Sequence, residues 1–177
     1  MKTQRLLKSL LEARASANVE LLDALAALPE DGPPADLSAA LRVLDHAHRV
    51  DLIFAAHLEK RAHPFTASWS VDAPKLPQLA AEMRDADRWY LDCIAGLTSA
   101  ELDEPIAFTF TDGARGTMSR AEMIAHVITH SAYHRGEVGR LLPQIEATAM
   151  RDVFAGYLHR AEPARRHQSI SGGNGNA

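Results

Sequence analysis

Cysteine is almost missing from this chain: Cys93 is the only one in 177 residues. No disulfide can close within the chain, which excludes a disulfide-stapled scaffold and agrees with a reducing compartment, the cytoplasm. Cys93 sits in RWYLDCIAGL, where Met83, Tyr90, Ile94 and Leu97 carry helical apolar spacing, so a buried structural thiol is a simpler reading than a nucleophile. Long apolar runs are missing as well. None approaches the ~20 residues that cross a bilayer, and the opening MKTQRLLKSLLEARAS reads as a charged amphipathic helix rather than a signal peptide. No block of Lys or Arg stands out, and the formal net charge is −4 with histidines neutral. Phosphate recognition needs a basic patch, so neither nucleic acid nor a membrane is an expected partner. Internal repeats and low-complexity linkers are absent too, which points to one domain over residues 1–162 followed by a flexible tail, 163–177.

What the chain does have is apolar residues in helical phase. Hydrophobic residues make up 46% of it, enough for a core. Helices are expected from about Thr3 to Leu28, from Asp36 or Ser38 to Arg61, and from Pro77 to Leu97. Between Pro105 and Met118 the period changes: Ile106, Phe108 and Phe110 alternate, and Asp112-Gly113 signals a turn, so a small β-hairpin is expected. Ser119-Arg120-Ala121-Glu122 is a capping box that opens a fourth long helix, ending near Leu142. A short helix from about Met150 to Arg160 follows. The expected fold is all-α: an up-down four-helix bundle, with a small β-hairpin before the fourth helix and a short extra C-terminal helix.

The fourth helix carries HVITHSAYHRG, with His126, His130 and His134 at successive four-residue steps. Residues four apart share a helix face, about 5–6 Å between Cβ atoms, close enough for two imidazoles to grip one ion. Phase separates the three. Met123, Val127, His130, His134, Val138 and Leu141 form one stripe, so His130 and His134 face the core, whereas His126 lies nearer its edge. Two bare imidazoles in an apolar core need partners for four ring nitrogens, and a metal supplies one partner to each ring. On the second helix Val43, His46, Val50 and Ile53 share a face, making His46 the third candidate ligand, with His57 in reserve and His48 out of phase. His63, His159 and His167 read as solvated side chains.

HVITHSAYHRGEV is similar to the signature helix of the DinB/YfiT-like family, whose usual form is HVVNHGTYHRGQV, and LDHAHRVDLIF resembles its second-helix motif, picking out His46 and Asp51. The resemblance spans most of residues 1–160. It implies a four-helix bundle holding a divalent metal, Zn or Ni first and Fe next, on His46, His130 and His134. It further implies a homodimer, and a metal-dependent enzyme acting on a small molecule, of thiol-dependent transferase or hydrolase type with a low-molecular-weight thiol as co-substrate. A dimer is also suggested by apolar residues on more than one face of the first helix, such as Leu21, Leu22 and Leu25. Thr129, Ser131, Ala132 and Glu137 depart from the family's commoner residues without removing a ligand. Arg135, placed to meet an anionic substrate group or to form a salt bridge, and Tyr133 are the candidate catalytic side chains. The alternative is a non-catalytic metal-binding or protein-interaction module of the same fold.

Overall fold

The computed structural model describes residues 2–28, 34–141 and 153–166. Four long helices make the body: α1 (Lys2–Ala26), α2 (Pro34–Leu58), α3 (Leu76–Gly96) and α5 (Arg120–Leu141). A one-turn α4 (Ser99–Leu102) and the strands β1 (Pro105–Thr109) and β2 (Arg115–Ser119) precede α5, and α6 (Phe154–Ala161) and α7 (Pro163–Arg166) follow it. This is the expected all-α bundle with its hairpin and extra C-terminal helix. The expected start of the last helix at Met150 and residues 29–33 between the first two helices lie outside the described residues, as does residue 167 onward of the expected tail. Residues 163–166, assigned to that tail, form a helical turn.

Local chemistry explains several boundaries. Ser119 Oγ accepts from the Glu122 amide at 3.2 Å, and the Glu122 carboxylate accepts from the Ser119 amide at 2.7 Å, so the capping box at the start of α5 is real. The same device opens α4, where Thr98 and Glu101 cap each other. The hairpin pairs Ile106 with Met118 and turns at Gly113, whose φ of 88° is the left-handed region that glycine enters without strain. Arg120 ties the hairpin end to α2 by donating to the Leu58 carbonyl at 2.5 Å and to Glu104 at 3.0 Å, which satisfies a backbone acceptor at the α2 C-terminus.

Two apolar clusters fill the bundle. In one, Leu7 and Leu11 meet Phe54 and Leu58, Tyr90 and Ile94, and Met123 and Ile124, with Ile106 and Phe108 of the hairpin closing that end. In the other, Leu21, Leu22 and Leu25 meet Leu41 and Leu44, Leu79 and Met83, and Val138. The early part of α1 therefore lies beside the late parts of α2 and α3 and the early part of α5. α1 and α5 run one way, α2 and α3 the other, so the direction of consecutive helices does not alternate throughout. Parallel neighbours need a connection that returns along the bundle, and residues 59–75 provide it. This strap has a physical consequence: with α3, α5 and the strap around it, α2 is buried on nearly every face. His48, out of phase in the sequence, is thereby buried at 4% exposure. Leu21, Leu22 and Leu25 are all satisfied within one chain, so they leave no surplus apolar surface for a partner.

Candidate metal centre

α2 and α5 bring His46, His130 and His134 together, with one donor nitrogen from each within 4.8 Å of the others. The helical phases that selected them are those observed: Val43, His46, Val50 and Ile53 are all buried on α2, and Met123, Val127, His134 and Val138 on α5. Ring centroids are 4.4 Å apart for His130 and His134, 4.7 Å for His46 and His134, and 5.2 Å for His46 and His130.

Hydrogen bonds orient two of the rings. His46 donates from Nδ1 to the Ser68 carbonyl at 3.0 Å, and His134 donates from Nδ1 to the Glu137 carboxylate at 2.9 Å. Each bond fixes a tautomer whose Nε2 carries the free lone pair, the arrangement that outer partners impose on metal-binding histidines. The His134 and His130 Nε2 atoms are 3.2 Å apart, close to the roughly 3.4 Å expected for two Zn–N bonds of about 2.1 Å at a tetrahedral angle. His130 Nδ1 is buried and has no hydrogen-bond partner. Trp69 lies flat on His46, with centroids 4.1 Å apart and planes 6° from parallel, and roofs one side of the cluster while remaining 46% exposed.

Electrostatics keep the His130 and His46 rings neutral. Burial, followed by His134, His126 and His46, pushes the His130 imidazole down to about 3. Burial also lowers His46, against the pull of its bond to Ser68. Imidazoles that offer converging lone pairs, two of them resistant to protons, suit a divalent transition metal. The residues present therefore fit such an ion.

The other candidates fall elsewhere. His126 is half-buried against Phe54, with centroids 4.6 Å apart, and its ring is 5.3 Å from that of His130. His57 packs on His63 at 5.2 Å, so His63 is a half-buried neighbour rather than a solvated side chain. His159 is exposed, and His167 lies outside the described residues. Asp51 does not share the histidine cluster. It pairs with Arg14 of α1 in the bundle centre, where Arg14 also lies 3.2 Å from Asp87 of α3. Asn18 donates to Asp87 at 2.9 Å and accepts from Arg135 at 2.8 Å. Arg135, 4% exposed, is thus a member of this interior network, which draws a side chain from all four long helices. Tyr133 is 72% exposed beside His134, with ring centroids 5.1 Å apart. Cys93 is half-buried, and burial raises its thiol pKa, the opposite of an activated nucleophile.

Sequence reasoning missed Ser68, Trp69 and the role of Glu137. Ser68 acts through its backbone carbonyl, which leaves no trace in residue type. A tryptophan in the polar stretch TASWS was the one available cue to Trp69.

A four-helix bundle with a three-histidine cluster between two helices defines a class of metal-binding helical proteins. Within it, the family model for the DinB family matches residues 1–165, and the chain belongs to that family. Comparison with curated proteins and with solved structures returns no match.

Proposed function

We propose that His46, His130 and His134 hold one divalent ion, Zn or Ni before Fe, in a metal-dependent enzyme acting on a small molecule with a low-molecular-weight thiol as co-substrate. The reaction class is thiol-dependent transfer or hydrolysis. The observation that carries the reading is the pair of outward hydrogen bonds, to the Ser68 carbonyl and the Glu137 carboxylate, which leave both Nε2 lone pairs free, that of His134 3.2 Å from His130 Nε2. Three neutral protein ligands leave a coordination position, where such an ion lowers the pKa of a bound water or thiol.

The chain's own residues set up what surrounds that position. Ser68 and Glu137 hold the rings in register, and Trp69 covers the His46 side against water. Tyr133 stands exposed next to His134, where a substrate would first meet the protein. Arg135 supports α5 from the interior network rather than contacting substrate. A cytoplasmic location and self-association as a homodimer belong to the same proposal. The dimer rests on the family and on exposed apolar side chains such as Leu6 and Phe110, 54% and 46% exposed. No described helix is long and apolar enough to cross a membrane.

Elemental analysis of untagged protein, followed by a screen for thiol conjugation and ester or amide hydrolysis, tests the enzyme reading. Near-stoichiometric metal and a turnover lost in His134→Ala are expected. Stoichiometric metal with no turnover across thiols and electrophiles favours the non-catalytic module, and absence of metal overturns both. Light scattering at micromolar concentration tests the dimer, against which a mass of 19.3 kDa would count.

A further inference from the structure

The strap 59–75 crosses back over the bundle with little to hold it down. Not one of its residues is buried, and Trp69 and Val71 stay exposed although both are large and apolar. A cavity of about 780 Å3 beside His48 lies between the strap and the helices α2 and α3, so the strap bridges them there rather than packing on them. Its backbone bonds to α2 stop at Arg61, whose amide donates to the Ala56 carbonyl at 3.0 Å. Between Ala62 and Pro74 a single hydrogen bond reaches a helix among the described residues. Its donor is His46 Nδ1, on the Ser68 carbonyl. Ring contacts add to it: Trp69 lies flat on His46, His63 meets His57 at 5.2 Å, and Arg49 stands 5.6 Å from the Phe65 ring.

Docking the strap also has costs. His63 Nδ1 and the Ser70 hydroxyl are buried without a hydrogen-bond partner, and lifting the strap returns both to water. A buried polar atom left unpaired costs at least as much as one made hydrogen bond returns. Ordering the segment costs chain entropy as well. Segments with so few buried apolar contacts open locally at low free energy.

The strap's one hydrogen bond to a helix is made to a metal-centre histidine, and that histidine is also the one Trp69 stacks on. The bond to Ser68 leaves Nε2 of His46 free for an ion. A cation there draws electrons from the ring, which makes Nδ1–H a stronger donor to the Ser68 carbonyl and the ring face a better partner for the indole. In the other direction, the docked strap fixes the tautomer that can take the ion. Effects that run both ways through one ring are a single coupling free energy. The ion therefore holds the strap by the same factor by which the strap holds the ion.

We propose that the strap 59–75 is a metal-controlled cover, opening readily in the metal-free protein and locked down through the Ser68 carbonyl and Trp69 when an ion sits on His46, His130 and His134. Trp69 is the positioning residue of this device. The inference rests on the metal reading above, and its test separates the two.

Zinc affinity is measured on full-length, chelator-treated protein by competition with a chromophoric chelator. Opening of the strap is read as the rate of chymotryptic cleavage after Phe65 and Trp69, located by mass spectrometry and referred to cleavage of a denatured substrate in the same buffer. Saturating zinc should slow that cleavage about fivefold or more. Trp69→Ala changes an exposed side chain and should keep the urea midpoint of the metal-free protein while weakening zinc about tenfold. In that variant zinc should protect the bond after Phe65 less, and Trp69→Phe, which keeps a ring on His46, should restore most of the affinity. Stoichiometric zinc with unchanged cleavage overturns the cover and leaves the metal site standing, as does a zinc affinity equal in wild type and Trp69→Ala. Failure to bind zinc overturns both.

Discussion

Between its two apolar clusters the bundle buries two polar groupings built on opposite principles. In the centre, Arg14, Asn18, Asp51, Asp87 and Arg135 set opposite charges against one another across all four long helices. Burial opposes the Arg14 charge, but Asp51 and Asp87 outweigh it, so the guanidinium holds its proton more firmly than usual. Between α2 and α5, His46, His130 and His134 set like groups against one another, and burial and the neighbouring imidazoles lower the proton affinity of His46 and His130. The central network balances its charge internally, although Arg14 Nε and Nη1 stay without acceptors. The histidine cluster brings together acceptor nitrogens of one kind. Burial alone therefore does not say what a polar cluster is for. The sign of its members does: a cluster of opposites holds helices together, and a cluster of identical acceptors calls for something from outside.

The largest expected effect is on the second grouping. His130→Ala removes the ring that faces both others and should abolish near-stoichiometric metal binding, read by elemental analysis after dialysis. Full occupancy in that variant would break the contrast at once. Next is Arg14→Met, which keeps much of the buried stem but deletes the cation facing two carboxylates. Breaking a buried ion pair from one side costs about 3–5 kcal/mol, to be read from urea unfolding of the metal-free protein. A loss under about 1 kcal/mol would mean that the network does not hold the helices as described.

Glu137 sharpens the comparison at smaller scale, because among the described residues it is the one carboxylate hydrogen-bonded to the histidine cluster. Glu137→Ala should weaken metal binding about 10–100-fold, and Glu137→Gln, which keeps an acceptor for His134 Nδ1, should weaken it less. Equal losses in the two variants would show that the hydrogen bond does not orient the ring.

Acid should separate the groupings by sign. His46 and His130 titrate below their ordinary values in the folded protein, so the unfolded chain takes up protons first, below about 6.5. Their contribution to stability is present above that pH and is lost as pH falls toward about 3, where His130 titrates in the folded state. Asp51 runs the other way. Burial, against the pull of Arg14, lifts its carboxyl to about 7, so its contribution is present at low pH and lost as pH rises through about 7. Urea midpoints of metal-free protein should fall on acidification from about pH 7 to 5, and more steeply in Asp51→Asn, which lacks the opposing term. A midpoint that does not fall in either protein contradicts the histidine assignment. Metal occupancy should drop over the same range because protons compete for the imidazoles. The smallest effect is expected from His159→Ala. It is exposed, and its loss should leave metal content unchanged and stability within about 0.5 kcal/mol.

Much of the site is legible in the order of the residues. The 3.6-residue period places His130 and His134 on the buried stripe of α5 and His46 on that of α2, and the capping box at Ser119 sets the start of α5. The one-turn α4 carries the same signature at Thr98 and Glu101 and could have been read from it. The interior role of Arg135 is not legible, because a long cation after a candidate ligand can turn toward substrate or toward the core, and only the partner on α1, Asn18, decides which. The burial of His48 is likewise hidden, since phase speaks of one face and α2 is covered on nearly all of them.

The sequence alone determined the helices, their buried stripes and the three histidines, because each depends on residues a few positions apart, where backbone geometry dictates who shares a face. Only the tertiary structure decided that α2 and α3 run in the same direction and that the strap 59–75 must therefore travel back over the bundle. That one topological fact brings the Ser68 carbonyl and Trp69 to His46, encloses the cavity beside His48, and is encoded in no local period. Contacts between residues distant in sequence are chosen by which packing buries the most apolar surface while pairing the charges it traps, and that is a property of the whole chain.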